Sequence, residues 1–204
     1  MIQLYTITED QLSTAVAKRL VTECDHRWQV GVPVETGGSG KLFDRLPQYL
    51  KIANSLPVLL LTDLDRLECA PALAQRHRPA RGWPERFLFR VAVREVESWL
   101  LADHEGFSDF TGIPKSRLVY DCETIADPKQ TLLNLVHRYA NRDIKARLVA
   151  RHSGGLRPGT AYNPKLVEYV NRAWQPARAE PRSDSLRRAR QRLAELAHRI
   201  CDIR

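Results

Sequence analysis

Cysteine is scarce and scattered. Cys24, Cys69, Cys122 and Cys201 stand far apart in the 204 residues, so they make neither a CxxC ligand pair nor the dense disulfide framework of a small secreted domain. Long apolar runs are missing too. The longest, Pro57 to Leu61, falls well short of the roughly 18 residues that a membrane helix needs. The start, Met1-Ile2-Gln3-Leu4-Tyr5, lacks the basic residues and apolar stretch of a signal peptide. The 10 Gly and 12 Pro form no repeat, which excludes collagen-like and low-complexity chains. His77, His104, His137 and His152 show no metal-ligand spacing, and no local elbow announces a nucleophilic serine. The expectation is a folded, reduced, cytoplasmic protein with no membrane partner.

Basic charge is abundant but uneven. The net charge is +8, yet residues 1–140 are nearly balanced and the excess of Lys and Arg lies in 141–204. Such a tail suits a polyanion by counterion release, an acidic partner protein, or simple solvation.

Hydrophobic patterning predicts alternating strands and helices in the first hundred residues. Ile2–Thr6 reads as a strand, followed by a helix through Leu12, Val16 and Leu20. Trp28–Val34 reads as a second strand, and Phe43, Leu46 and Leu50 as another helix, with Pro47 either in its first turns or interrupting it. Val58–Thr62 has the nearly unbroken apolar character of a strand buried on both faces of a parallel sheet. Residues 68–84 predict a short helix and a basic loop, Phe87–Val93 a strand, and the segment after Glu95 a helix. Beyond Asp103 the pattern is helical, with Asp127 near a cap and Pro128 at a first helical position. Residues 151–164, rich in Gly, Arg and Pro, read as a loop. The terminal segment Ser185–Ile200 reads as a basic amphipathic helix with Leu186, Ala189, Leu193 and Ala197 inward. The expected fold class is α/β, a mostly parallel sheet flanked by helices with a C-terminal α-helical extension; the expected division is a core over 1–105 and a helical extension over 106–204 packed on it.

Carboxylates recur where strands are expected to end: Glu9 after the first, Asp63 and Asp65 after the central one, Glu95 and Glu97 after the last. The carboxyl ends of parallel strands border a crevice, so these acids are expected to converge there. Gathered anions repel one another unless a cation neutralises them, and hard ions such as Mg2+ or Mn2+ take carboxylate oxygens. Taken singly, each acid is equally a turn former or helix cap.

The order of Glu9, a Gly-containing turn, Asp63-x-Asp65 and Arg94-Glu95-Val96-Glu97-Ser98-Trp99-Leu100 resembles the Toprim domain shared by topoisomerases, primases and the OLD-type nucleases. The stretch Val93–Asp103, Asp127-Pro128-Lys129 and Ser183-x-Ser185-Leu186-Arg187-Arg188-Ala189 resemble the small stand-alone Toprim-like proteins designated DUF4276. The resemblance implies a Toprim-like catalytic core, with Glu9 as catalytic or metal-orienting glutamate and Asp63 and Asp65 as metal-binding aspartates. By the same likeness Glu95 and Glu97 hold a second Mg2+ or Mn2+, and Lys129 is a catalytic lysine. The chain is too short for the strand-passage apparatus of a topoisomerase or the zinc-binding and polymerase portions of a primase.

Gly37-Gly38-Ser39-Gly40-Lys41 is not a Walker loop, since Glu35 and Leu42 stand where Gly and Ser or Thr are required. Lys41 could still meet a phosphate, or the turn could be a plain connection. Arg76, Arg78 and Arg81, with Arg187, Arg188, Arg190 and Arg192, are expected to contact nucleic-acid phosphates. The expected function is metal-dependent phosphodiester cleavage of DNA, with resemblance implying the Toprim subunit of an ATPase-coupled anti-phage complex. The expected partners are DNA, a separately encoded ABC-type ATPase and a second copy in a homo-oligomer. The alternatives are a noncatalytic Toprim-like module docked on such an ATPase and a basic nucleic-acid-binding protein without metal chemistry.

Overall fold

The computed structural model describes residues 2–201. The chain divides into two compact units: Met1–Ala92 with Arg187–Arg204, and Val93–Leu186. The second compact unit begins at Val93, and most of the terminal helix groups with the first unit.

The first unit is an α/β layer. β1 (Ile2–Thr8) leads into α1 (Gln11–Cys24), whose first turn is closed by the Asp10 carboxylate accepting from Ser13 N at 2.8 Å. Leu12, Val16 and Leu20, spaced for one helix face, are all buried. Then come β2 (Trp28–Val30) and β3 (Val34–Glu35), α2 (Ser39–Asp44), α3 (Leu46–Ile52), β4 (Val58–Asp63), α4 (Ala70–His77) and β5 (Phe87–Ala92). Pro47 occupies the first turn of α3, where no intrahelical N–H is lost.

All strands of this sheet are parallel, in the order β2-β1-β4-β5, with β3 also on β1. The single strand read over Trp28–Val34 forms in two pieces. Val30 pairs with Leu4 and Val34 with Ile7, so this edge carries one residue more than β1 does. Pro33, which has no N–H to donate, lies in the interruption beside exposed Val32. β4 is covered on both faces, and Val58, Leu59, Leu60 and Leu61 are each no more than 2% exposed. Full burial of such side chains contributes about 1.5–3 kcal/mol apiece.

The second unit is mainly helical: α5 (Val96–Ala102), α6 (His104–Thr111), α7 (Pro128–Tyr139), α8 (Arg142–Leu148), a hairpin of β6 (Val149–His152) and β7 (Gly155–Pro158), α9 (Tyr162–Arg172) and α10 (Pro176–Ala179). Asp127 caps α7 through Gln130 N at 2.8 Å, and Pro128 is its first residue. Trp99, Trp174 and Tyr169 are fully buried here, and Trp174 Nε1 donates to the Trp99 carbonyl at 3.1 Å. The hub is Asp103, 0% exposed, which accepts from Gly106 N, Gln175 N and Arg178 Nη2 at 3.1, 2.9 and 2.8 Å. Gly106 is dictated by this hub, because an added Cβ would stand 2.5 Å from Asp103 Oδ2.

α11 (Asp184–Cys201) closes the chain. Its start is capped in the second unit, where Glu123 Oε1 accepts from Ser183 Oγ at 2.7 Å and Ser185 N at 2.6 Å. From Arg187 on it belongs to the first unit, and Ala189, Leu193, Leu196 and Ala197 are buried. No helix among the described residues is long and apolar enough to cross a membrane.

Candidate functional site

In the first unit the chain leaves β1 toward β2 and β3 on one side and returns to β4 on the other. The sheet therefore reverses its winding direction between β1 and β4, and in open parallel sheets the crevice beyond the carboxyl ends at such a point is where ligands bind. Glu9 follows β1 directly and Asp63 ends β4. The two meet there: Thr62 Oγ1 donates to Glu9 Oε1 at 2.6 Å, and Asp63 N donates to the same oxygen at 3.2 Å. Thr62 is only 1% exposed, so its hydroxyl is a fixed donor that holds the Glu9 carboxylate over the end of β4.

Asp63 is register partner of Ala92 on β5, and Leu64, buried, donates its N–H to the Ala92 carbonyl at 2.9 Å. Asp65 is exposed and has a left-handed backbone with φ of 51°. Asp63 and Asp65 thus flank an anchored residue at the point where the strand becomes a turn.

The glycine turn borders the same place. Thr36 N donates to the Thr8 carbonyl at 3.0 Å and Gly37 N to the Glu9 carbonyl at 2.8 Å. Gly37 and Gly38 have φ of 75° and 127°, which side chains rarely adopt. The turn is therefore a pinned connection beside Glu9. Lys41, exposed, brings its Nζ to 3.8 Å from where a Gly37 Cβ would stand.

Glu95, Glu97 and Lys129 gather in the second unit. Glu95 precedes α5 and its Oε2 accepts from Lys129 N at 3.0 Å. The Lys129 ammonium lies 3.7 Å from Glu95 Oε1 and 3.5 Å from Glu97 Oε1. Tyr162 OH adds a hydrogen bond to Glu97 Oε1 at 3.1 Å. Burial pushes the Glu97 carboxyl above its ordinary range; Lys129 opposes the shift and Glu95 adds to it. The segment that sequence patterning singled out is thus a buried glutamate held by a lysine and a tyrosine.

The arginines are exposed apart from half-buried Arg190, and several are already engaged. Arg76, Arg78 and Arg81 lie on α4 and the loop after it, all on the surface. On α11, Arg190 pairs with Glu23 at 3.6 Å and Arg192 with Glu195 at 2.7 Å, while Arg187 and Arg188 are exposed. Arg90 on β5 joins this group: burial lowers its pKa, as do Arg192 and Arg188, and Glu195 works the other way.

Two participants carried no sequence signal. Thr62 is one more residue of an apolar strand, and Tyr162 is 65 residues from its carboxylate partner. Both donate to a glutamate, which only the fold reveals.

Among the described residues no three His, Cys, Asp or Glu side chains gather closely enough to form a metal site by themselves. Mg2+, however, is commonly held by one or two carboxylates, its other positions filled by water and substrate phosphate. The acids that could supply such oxygens at this sheet end are Glu9 and Asp63, with Asp65 in the following turn. Comparison of the chain with known protein families, with curated proteins and with solved structures finds no match in any of the three.

Proposed function

We propose that this chain is a metal-dependent phosphodiesterase acting on DNA, with a Toprim-like first unit. The observation that supports the reading is the Glu9 carboxylate held by the Thr62 hydroxyl and the Asp63 backbone N–H at the reversal point of a parallel sheet, which brings together residues 54 apart in sequence. A divalent ion bound there would supply an activated water and stabilise charge on the attacked phosphate. Asp63 and Asp65 would give it oxygens, and Glu9, fixed by Thr62, would orient it. Glu95 and Glu97 would hold a second ion. Lys129 would offset charge developing on the phosphate, while Lys41, Arg76, Arg78, Arg81, Arg187, Arg188, Arg190 and Arg192 would grip the backbone. Mg2+ or Mn2+ suits this donor chemistry, and the cell compartment that fits it is the cytoplasm. In this reading the chain works beside a separately encoded ABC-type ATPase in anti-phage defence and forms a homo-oligomer.

One observation favours a second reading, the noncatalytic Toprim-like module docked on that ATPase. Lys129 already neutralises Glu95 and Glu97, and Glu97 is 2% exposed. A pair so satisfied is a poor ligand set for an added cation.

The test is calorimetric titration of the purified chain with Mn2+, followed by nicking of circular DNA, for wild type and the D63A/D65A variant. Metal binding and nicking that both vanish in the variant support the enzyme. Binding without nicking supports the docked module, and binding unchanged in the variant rejects both assignments of Asp63 and Asp65.

A further inference from the structure

The loop expected over 151–164 is in its first part a ribbon: residues 149–158 pair antiparallel, with Val149 opposite Pro158 and His152 opposite Gly155. Its base is built firmly. Gly159 N donates to the Leu148 carbonyl at 2.9 Å, and a Cβ at Gly159 would come within 2.6 Å of the Arg147 carbonyl oxygen. Val149 and Leu156 are half-buried, whereas Ala150, Arg151, His152, Ser153, Gly154, Gly155, Arg157 and Pro158 are exposed. Such a two-stranded ribbon buries little and is marginal alone. It leans on α7, where Arg151 Nη2 lies 3.2 Å from His137 Nε2, and leaves its glycine tip open.

Charge gives the arm a partner. Residues 138–157 contain Arg138, Arg142, Lys145, Arg147, Arg151 and Arg157 against the single acid Asp143, which Arg147 already pairs at 2.9 Å. Arg142, Lys145 and Arg147 lie on α8, which runs directly into β6. Arg151 and Arg157 are on the ribbon, with Arg151 Nη2 3.2 Å from His137 Nε2. At the tip, built Cβ atoms on Gly154 and Gly155 meet nothing within 4 Å. The tip is therefore slender and unobstructed.

We infer that the β6–β7 ribbon is a duplex-binding arm that enters a groove of double-stranded nucleic acid glycine tip first, with Arg151, Arg157 and the α8 cations on the flanking phosphates. This rests on the nucleic-acid part of the proposed function. The dimensions agree. Strands about 4.8 Å apart and about 3.3 Å long per residue make an arm that a major groove about 12 Å wide and about 8.5 Å deep admits. Single strands are a poorer match, because they are gripped by aromatic platforms and the ribbon has no Phe, Tyr or Trp.

The test is fluorescence anisotropy of the full chain in EDTA, with a labelled duplex and a single strand of equal length, from low to physiological salt. The variants are R142Q/R151Q/R157Q and, separately, G154E, which sets an acid at a tip with open space around it. The expected result is at least a tenfold loss of duplex affinity for each. For the triple variant the salt slope falls by roughly 0.9 for each phosphate contact removed, and single-strand binding changes far less. Wild-type affinity and slope in both variants overturn the proposal. Equal losses on single strand and duplex overturn groove entry, and binding of polyglutamate in preference to duplex overturns it in favour of an acidic partner. Because the readout needs no metal, Mn2+-dependent nicking stands or falls separately.

Discussion

Breaking the contact between Glu9 and Thr62 should be measurable as a coupling. Thr62→Val keeps the side chain's shape and removes the hydroxyl that donates at 2.6 Å to Glu9 Oε1. Hydrogen bonds to charged groups contribute about 1.5–3 kcal/mol. Glu9 is half-exposed, so water recovers part of that, and the low end applies. Glu9→Ala removes the other partner and leaves a buried hydroxyl whose other contact is the Asp63 carbonyl at 3.4 Å, a long and weak bond. The double variant leaves neither group stranded. Urea unfolding of wild type, both single variants and the double variant at pH 7 in EDTA should therefore give an interaction energy of about 1.5 kcal/mol. Equal m-values across the four proteins would license the comparison. An interaction energy below about 0.5 kcal/mol, the level found for independent sites, would refute the argument that Thr62 fixes the glutamate.

Asp103→Asn should cost about 3–5 kcal/mol in the same assay, because an amide NH2 must face a donor whichever way it flips: Gly106 N on one oxygen, Gln175 N and Arg178 on the other; a loss under about 1 kcal/mol would count against the hub. Glu97→Gln tests the direction of its shift. A carboxyl raised in the folded state stabilises fully below its unfolded value of 4.5 and loses that contribution as pH rises through the folded pKa. The stability of wild type relative to Glu97→Gln should therefore fall from pH 4.5 upward in metal-free buffer. A constant difference between pH 4 and 8 would mean that Glu97 is not perturbed by its burial.

Local chemistry made some elements readable. Val58–Leu61 announced a doubly covered strand by composition, and Asp127-Pro128 announced a helix start, because strand burial and capping act within a few residues. Longer-range effects hid others. Trp28–Val34 looked continuous until pairing with β1 left Pro33 in an interruption. The ribbon at 149–158 was obscured by Gly154, Gly155 and Pro158, since its cross-strand bonds leave hardly any apolar alternation. At the site, the placement of Glu9 beside Asp63 followed from strand ends in a parallel sheet. The Lys129 ammonium between Glu95 and Glu97, the Tyr162 hydroxyl on Glu97 and the Asp103–Arg178 pair depend on how helices meet, which periodicity does not encode.

The division of the chain has a consequence for its synthesis. The five strands of the first unit are complete at Ala92, but the helix that carries Leu193 and Leu196 into that unit begins to emerge only after Leu186. About 95 residues intervene, which at about 5–20 residues per second is on the order of ten seconds of translation. During that interval the nascent sheet lacks a helix. The intervening unit has its own closure, with Val93 N donating to Ser185 Oγ at 3.3 Å, so its entry and exit lie side by side. A ribosome therefore delivers a guest segment whose two ends meet before the host sheet can be finished, and fragments ending near residue 105 would release that sheet without its last helix.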